Sequence, residues 1–335
     1  MSIDVLKLAD EIIDGRRLKA EDDLQALYNG DLEELCLGAD KIRRELCGSS
    51  IDLCSIINGR GGKCSENCKF CAQSSHYSTS CKEFGFLDTE DFLKECKQAD
   101  KKGINRFSIV TAGRTLNGGD LEKAMSAYKA MHEVCPDMIL CASHGLMEGE
   151  DLKKLRKSGV RMYHANLETS RRFFPEICTT HTYEDKIREI RLAKRAGLEV
   201  CSGGILGMGE TPEDRIDMAL LLSELEVYSI PLNFLISIAG TPLENAEKLS
   251  CDEIVRITAV FRFINPKAYI RIAAGRNYFD DGGEILFRSG ANAALTGDML
   301  TTVGNNTAED RFMFEKLGFS LRKTKQDKKG INDNV

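Results

Sequence analysis

The chain has 335 residues, 42% of them hydrophobic and 29% charged, with a formal net charge of −6. This is globular composition, long enough for one barrel-sized domain or two smaller ones. An acidic balance with no basic block through the body argues against a nucleic-acid partner.

Residues 1–50 read as helices. Asp4 to Arg17 carries Val5, Leu8, Ala9 and Ile12 at helical spacing, and Asp31 to Leu46 is a second periodic segment. Met1 to Glu21 is acidic and amphipathic without an apolar core, so no signal peptide is expected and a cytoplasmic location follows. From residue 51 a rhythm of short apolar strand, loop and amphipathic helix begins. Strands are expected at Leu53–Ile57, Arg106–Thr111, Met138–Ala142, Arg161–Asn166, Glu199–Ile205, Leu232–Ser237, Ala268–Ala273 and Asn292–Thr296. Helices are expected between them, for example at Leu121–Val134, Glu150–Ser158, Glu184–Ala196, Pro212–Leu225 and Asp252–Phe263. Eight such units in one series predict an α/β fold, a (β/α)8 TIM-type barrel over residues 51–318 with the N-terminal helical extension before it. The longest apolar stretch, Met218 to Ile238, is broken by Ser223, Glu224, Glu226 and Pro231, so no membrane span is expected. The tail, residues 319–335, is expected to be partly disordered, above all its Lys/Asp/Asn-rich end from Lys323 on.

The thirteen cysteines are irregularly spaced and odd in number. Disulfides are rare in the cytosol, so these should be thiols or cluster ligands. Three of them, Cys64, Cys68 and Cys71, lie at x3 and x2 spacing in the loop Gly62 to Ser74, directly after the first strand. In a barrel that loop sits at the mouth, where strands end. Three thiolates can hold three corners of a cubane iron–sulfur cluster and leave the fourth iron open. A structural zinc with His76 as fourth ligand is the blander reading, as are plain buried cysteines. Zinc fingers pair their ligands two and two, and Ser65, Glu66, Asn67 and Lys69 do not suit an apolar site.

Other residues converge on the same expected lumen. His164, Asn166 and Glu168 alternate, so on one strand they share a face, which is either the lumen or a solvated strand edge. Asn233 lies in an otherwise apolar strand, and a buried Asn needs partners that a planar amide or urea would supply. Residues 199–211 form a Gly-rich turn where backbone can approach a ligand. Cys54, Cys141 and Cys201 sit on three strands, each readable singly as a small core residue. Together with Arg271, which is expensive to bury without an anionic partner, they suggest a second metal site.

Cys-x3-Cys-x2-Cys with an aromatic, Phe70, before the last cysteine resembles the signature of radical S-adenosylmethionine (SAM) enzymes. Asn-Leu-Glu-Thr-Ser at 166–170, Val-Cys-Ser-Gly-Gly at 200–204, Met-Gly-Glu-Thr at 208–211, Gly-Thr-Pro-Leu at 240–243 and Tyr-Ile-Arg-Ile-Ala-Ala-Gly-Arg at 269–276 narrow the resemblance to the biotin synthase family, over roughly residues 50–318. The resemblance implies a metal-binding sulfurtransferase of biotin biosynthesis that inserts sulfur into dethiobiotin. SAM, cleaved to a 5′-deoxyadenosyl radical, would remove hydrogen from carbon that no side-chain base can deprotonate. It further implies a 4Fe–4S cluster on Cys64, Cys68 and Cys71 with SAM on the open iron. Phe70, Ile205 and Ile236 would lie near the adenine, Glu168 at the ribose, and Glu210 among the cofactor-binding residues. Asn166 and Asn233 would grip the ureido ring, with His164 beside them. Cys141, Cys201 and Arg271 would hold an auxiliary cluster that supplies the sulfur.

Two positions depart from that pattern. Ser108 stands where a third auxiliary cysteine is usual, and His164 stands where an Asn is usual. Cys54, on the neighbouring strand, offers a substitute thiolate. The arrangement resembles the variant of strict anaerobes, whose auxiliary cluster is 4Fe–5S rather than 2Fe–2S. Cys178 is the alternative third ligand, whereas Cys36, Cys47, Cys81, Cys96, Cys135 and Cys251 are expected to be background. A flavodoxin- or ferredoxin-type electron donor and a homodimer are implied as well. The rival readings are another radical SAM barrel enzyme, a mutase or a metallocofactor maturase, and a non-catalytic Fe–S redox sensor.

Overall fold

Among the described residues nine parallel strands form one sheet; numbered along the chain, they run fifth, fourth, third, second, first, ninth, eighth, seventh, sixth, and a further pairing of the fifth with the seventh closes it into a barrel. The computed structural model describes residues 3–297 and 306–322. The strands are β1 Asp52–Arg60, β2 Arg106–Thr111, β3 Ile139–Ser143, β4 Val160–His164, β5 Glu199–Cys201, β6 Gly204–Leu206, β7 Ser229–Phe234, β8 Tyr269–Ala274 and β9 Ala293–Leu295. The single strand expected over Glu199–Ile205 is thus two short ones, bent at Ser202 and Gly203. The cause is close approach: a Cβ at Gly203 would stand 2.0 Å from the Pro231 carbonyl oxygen. Counting the bent strand once gives eight positions around the barrel.

Side chains alternate across this wall as the pleat requires. Phe107 and Ile109, or Ile270 and Ile272, face the helices and are fully buried, while Arg106, Ser108 and Val110, or Arg271 and Ala273, face the lumen. The outer helices present matching stripes. In Gly118–Val134 these are Leu121, Ala124, Tyr128 and Met131. Helices Tyr183–Arg195 and Pro212–Glu224 both start with capping boxes, Thr182 with Asp185 and Thr211 with Asp214. Each cap satisfies amides that the helix itself cannot, worth about 1 kcal/mol.

The N-terminal residues form helices Val5–Ile13, Leu24–Tyr28 and Leu32–Cys47. The third packs on helix Cys251–Ile264 so tightly that a Cβ at Gly38 would meet the Phe263 ring at 2.7 Å. At the other end the packed chain runs on to Arg322, which donates to the Ile104 carbonyl at 2.5 Å and to Asp100 at 2.9 Å. The disorder expected from Lys323 on falls outside the described residues. Among the described residues no helix is long and apolar enough to cross a membrane.

Candidate active site

All strands run the same way, so their carboxyl ends share one mouth. The cysteine loop follows β1 there. Its shape comes from short-range bonds: the Cys64 amide donates to the Gln73 carbonyl at 2.9 Å, and the Ser75 amide to the Cys64 carbonyl at 2.8 Å. Gln73 Oε1 in turn accepts from Asn58 Nδ2 and the Gly62 amide, both at 3.2 Å. Cys64, Cys68 and Cys71 are half-buried free thiols. Burial pushes the Cys71 thiol up to about 11, with only partial relief from the Gln73 backbone. Such a thiol ionises when a metal takes the proton's place.

A second set of bonds ties this loop to residues 177–181. The Lys69 amide donates to the Ile177 carbonyl at 2.9 Å, and Asn67 Oδ1 accepts from the Thr179 amide at 2.9 Å. Glu66 Oε2 gathers Arg114 at 3.1 Å, Thr180 Oγ1 at 2.9 Å and His181 Nδ1 at 2.6 Å. Cys178 lies here too, 3.7 Å from the Cys68 sulfur. It contacts the mouth loop and does not line the deep cavity, so the alternative that made it the third auxiliary ligand has no support in the geometry. His76, the alternative zinc ligand, spends Nε2 on the Ser65 carbonyl at 3.0 Å. The imidazole beside the thiols is that of His181.

One cavity of about 360 Å³ runs from this loop into the barrel. Phe70 and Cys71 line its mouth; Ile205 and Ile236 line its wall. His164 ends β4, and Asn166 and Glu168 lie just beyond it rather than on the strand. All three still line the cavity, and Glu168 has a left-handed φ of 72°. Burial raises the Glu168 carboxyl and depresses His164 to about 4, so the imidazole is neutral. Asn166 donates to Glu168 Oε2 at 3.2 Å and accepts from the Gly203 amide at 3.0 Å. Asn233 donates to the Gly204 carbonyl at 3.1 Å. Glu210 differs from expectation: its carboxylate is consumed by the Gly207 and Met208 amides at 2.8 and 2.7 Å and by Arg215 at 2.8 Å. It builds the glycine turn and does not line the cavity.

The floor holds Cys54, Cys141, Cys201, Arg106 and Arg271. Cys54 pairs in register with Arg106, whereas Ser108 pairs with Ile56 and Cys141. Cys54 therefore sits one inward-facing step deeper than the place Ser108 occupies. Burial pushes the Cys54 thiol up to about 11, partly offset by Arg271 and Arg106. The partner that Arg271 needs is Asp52: its carboxylate accepts from Arg106 Nε at 2.6 Å and from Arg271 Nη2, and Arg271 Nη1 also donates to the Asp52 and Ala294 carbonyls at 3.0 and 2.9 Å. Burial opposes ionisation of Asp52, but Arg271 and Arg106 outweigh it and hold the carboxyl below its usual range. Asp52 and Arg106 were not singled out from sequence. Their signal was the two-residue step that puts Asp52 on the face of Cys54, and Arg106 on that of Ser108.

Two guanidinium groups against one carboxylate leave the floor one positive charge in excess, beside three thiols. An anionic, thiolate-ligated group fits that donor set. The mouth loop, with three thiols and no fourth protein ligand within its own span, fits a cluster with an open corner.

Residues 60–222 match the Radical SAM superfamily. The fold itself is shared with methylornithine synthase, at a TM-score of 0.81 and 21% identity, covering 95% of this chain and 98% of that one. Barrel, cysteine loop and family match together define a radical SAM enzyme. Residues 231–320 match the Biotin and Thiamin Synthesis associated domain. The biotin synthase of Clostridium beijerinckii is 61% identical over 315 residues, 94% of this chain and 99% of its own. That of Alkaliphilus metalliredigens is 58% identical over 319 residues, 95% and 100% respectively. The chain belongs to the biotin synthase family.

Proposed function

We propose that this barrel binds dethiobiotin in the cavity described above and converts it to biotin by radical SAM-dependent sulfur insertion. The observation that carries the reading is one cavity with thiols at both ends and two amide side chains between. Cys64, Cys68 and Cys71 would hold a 4Fe–4S cluster, and Cys54, Cys141 and Cys201 an auxiliary cluster, with Arg271 beside it. When bound, these groups and SAM supply hydrogen-atom abstraction at unactivated carbon and the sulfur to be inserted. The chain's part is placement and exclusion of water.

Asn233 Nδ2 is spent on the Gly204 carbonyl, so its Oδ1 remains to accept a ureido N–H. Asn166 Oδ1 is spent on the Gly203 amide, so its second N–H remains to donate to the ureido carbonyl. Glu168 would accept ribose hydroxyls, and Phe70, Ile205 and Ile236 would cover the adenine. His164 is neutral and adds no charge to the substrate wall. The finer assignments are a 4Fe–5S form of the auxiliary cluster, a flavodoxin- or ferredoxin-type electron donor and a homodimer.

The test is anaerobic turnover with dethiobiotin, SAM and reductant. Biotin formed together with 5′-deoxyadenosine supports the assignment; deoxyadenosine without biotin points to another substrate. Asn166→Ala and Asn233→Ala should raise the KM for dethiobiotin and leave iron content unchanged. Normal KM in both would remove the amide clamp from the account.

A further inference from the structure

Cys178 and His181 have no part in the mechanism above, yet they are built into the mouth. Cys68, Cys178 and His181 place one ligand atom each within 4.8 Å of one another. The Cys68 and Cys178 sulfurs are 3.7 Å apart, and Cys178 Sγ lies 3.8 Å from His181 Nε2. A tetrahedral ion with metal–sulfur bonds of about 2.3 Å sets its two sulfurs about 3.8 Å apart, and sulfur and imidazole nitrogen about 3.6 Å apart. Two of the three edges therefore already have the length such an ion imposes. The third, between the Cys68 sulfur and a His181 ring nitrogen, is no longer than 4.8 Å.

The imidazole is also prepared. Glu66 Oε2 accepts from His181 Nδ1 at 2.6 Å, which leaves Nε2 as the ligand atom. A carboxylate behind a ligating imidazole fixes ring orientation and raises basicity. The Phe174 ring meets His181 edge-on, with centroids 5.6 Å apart, and limits its swing. Glu66 is itself fixed by Arg114 and Thr180. Two thiolates and one imidazole suit thiophilic divalent ions such as ferrous iron, zinc or cobalt, and disfavour magnesium and calcium.

We propose that Cys68, Cys178 and His181 bind one thiophilic divalent cation, with water as fourth ligand, in the protein that has not yet received its clusters. Binding displaces to solvent whatever protons the three ligand atoms still carry and involves no electron transfer. Cys68 is shared with the loop of Cys64 and Cys71, so the ion waits beside the place where iron is assembled. When the cluster forms, Cys68 turns to it, and Cys178 with His181 is left as a two-ligand site too weak to hold the ion. This handover rests on the assignment of Cys68 to the cluster; the cation site does not.

The probe is Co²⁺, titrated anaerobically into the full-length, cluster-free protein and read by ligand-field bands and thiolate charge-transfer absorption. One equivalent should give a tetrahedral spectrum. Cys64→Ser and Cys141→Ser should leave that first equivalent in place. Cys178→Ser should remove one thiolate's share of the charge-transfer intensity, and His181→Gln should weaken binding while both thiolate bands remain. Glu66→Gln should weaken it about ten- to a hundredfold through the imidazole. Loss of the first equivalent in Cys64→Ser, or in Cys141→Ser, overturns the site by placing the ion on the mouth loop or in the lumen. The handover is read separately: at limiting ferrous iron His181→Gln should slow iron uptake and reach the same final iron content. An unchanged rate overturns the handover alone.

Discussion

Replacing Asp52 by Asn keeps the shape of the floor and removes its one carboxylate. The side chain is 6% exposed and faces Arg106 and Arg271, which are 2% and 3% exposed. Removing one partner of a buried ion pair costs about 3–5 kcal/mol, because the charge left behind cannot regain water. Here two cations are left, so the upper half of that range applies. A chain of 335 residues has a melting entropy of about 0.7 kcal/mol per kelvin, at about 2.1 cal/mol per kelvin per residue. Asp52→Asn should therefore lower the Tm of the cluster-free protein by about 6–7 °C, followed by far-UV circular dichroism. Adding Arg106→Met should recover part of the loss, since one of the stranded charges is gone. A drop below about 2 °C, or strictly additive losses in the double variant, would refute the reasoning.

His144 is fully buried, with Thr111 Oγ1 on Nδ1 and Tyr128 OH on Nε2, both at 3.0 Å, and burial depresses it to about 3. The unfolded chain takes up this proton near 6.5 and the folded chain near 3, so the stabilisation is complete above 6.5 and is lost as pH falls toward 3, at about 1.4 kcal/mol per unit. His164 adds to the same acid limb, so His144→Gln should reduce the slope of stability between pH 6 and about 4 without abolishing it; an unchanged slope sinks the point. Gly203→Ala should cost at least about 3 kcal/mol through overlap with the Pro231 carbonyl, and a Tm within about 2 °C of the parent would count against the bend as a packing necessity. Cys54→Ser and Cys141→Ser should each lower iron content and biotin yield to the same level; retention of both in Cys54→Ser alone would remove Cys54 from the auxiliary site.

The sequence carried the barrel because alternation and helical stripes are local, and every strand expected from them exists within a few residues. Strand ends were less legible. Asn166 lies past β4 because its neighbour β5 ends at Cys201, the partner of His164, and the break in the fifth strand depends on Pro231, nearly thirty positions away. The cysteine loop was legible because its spacing is itself the chemistry. Glu210 was misread as a cofactor contact, since its partners are amides of its own turn, and that bonding depends on how the turn folds. Nothing in the order of residues announces that Glu66 meets His181, or that Asp52 meets two arginines from other strands. Such pairs are products of closure.

One chain of contacts crosses the boundary between the first fifty residues and the barrel. Tyr28, on the second N-terminal helix, donates to Glu253 at 2.5 Å and accepts from Arg215 at 2.9 Å. Arg215 in turn grips Glu210, the carboxylate that holds the glycine turn after β6. The leading helices thus act as a brace whose far end is the rim of the reaction chamber. Shortening the chain from its start would slacken that rim even though no residue near the chemistry had been touched, so a trimmed version cannot be treated as the same catalyst with a piece of packaging removed.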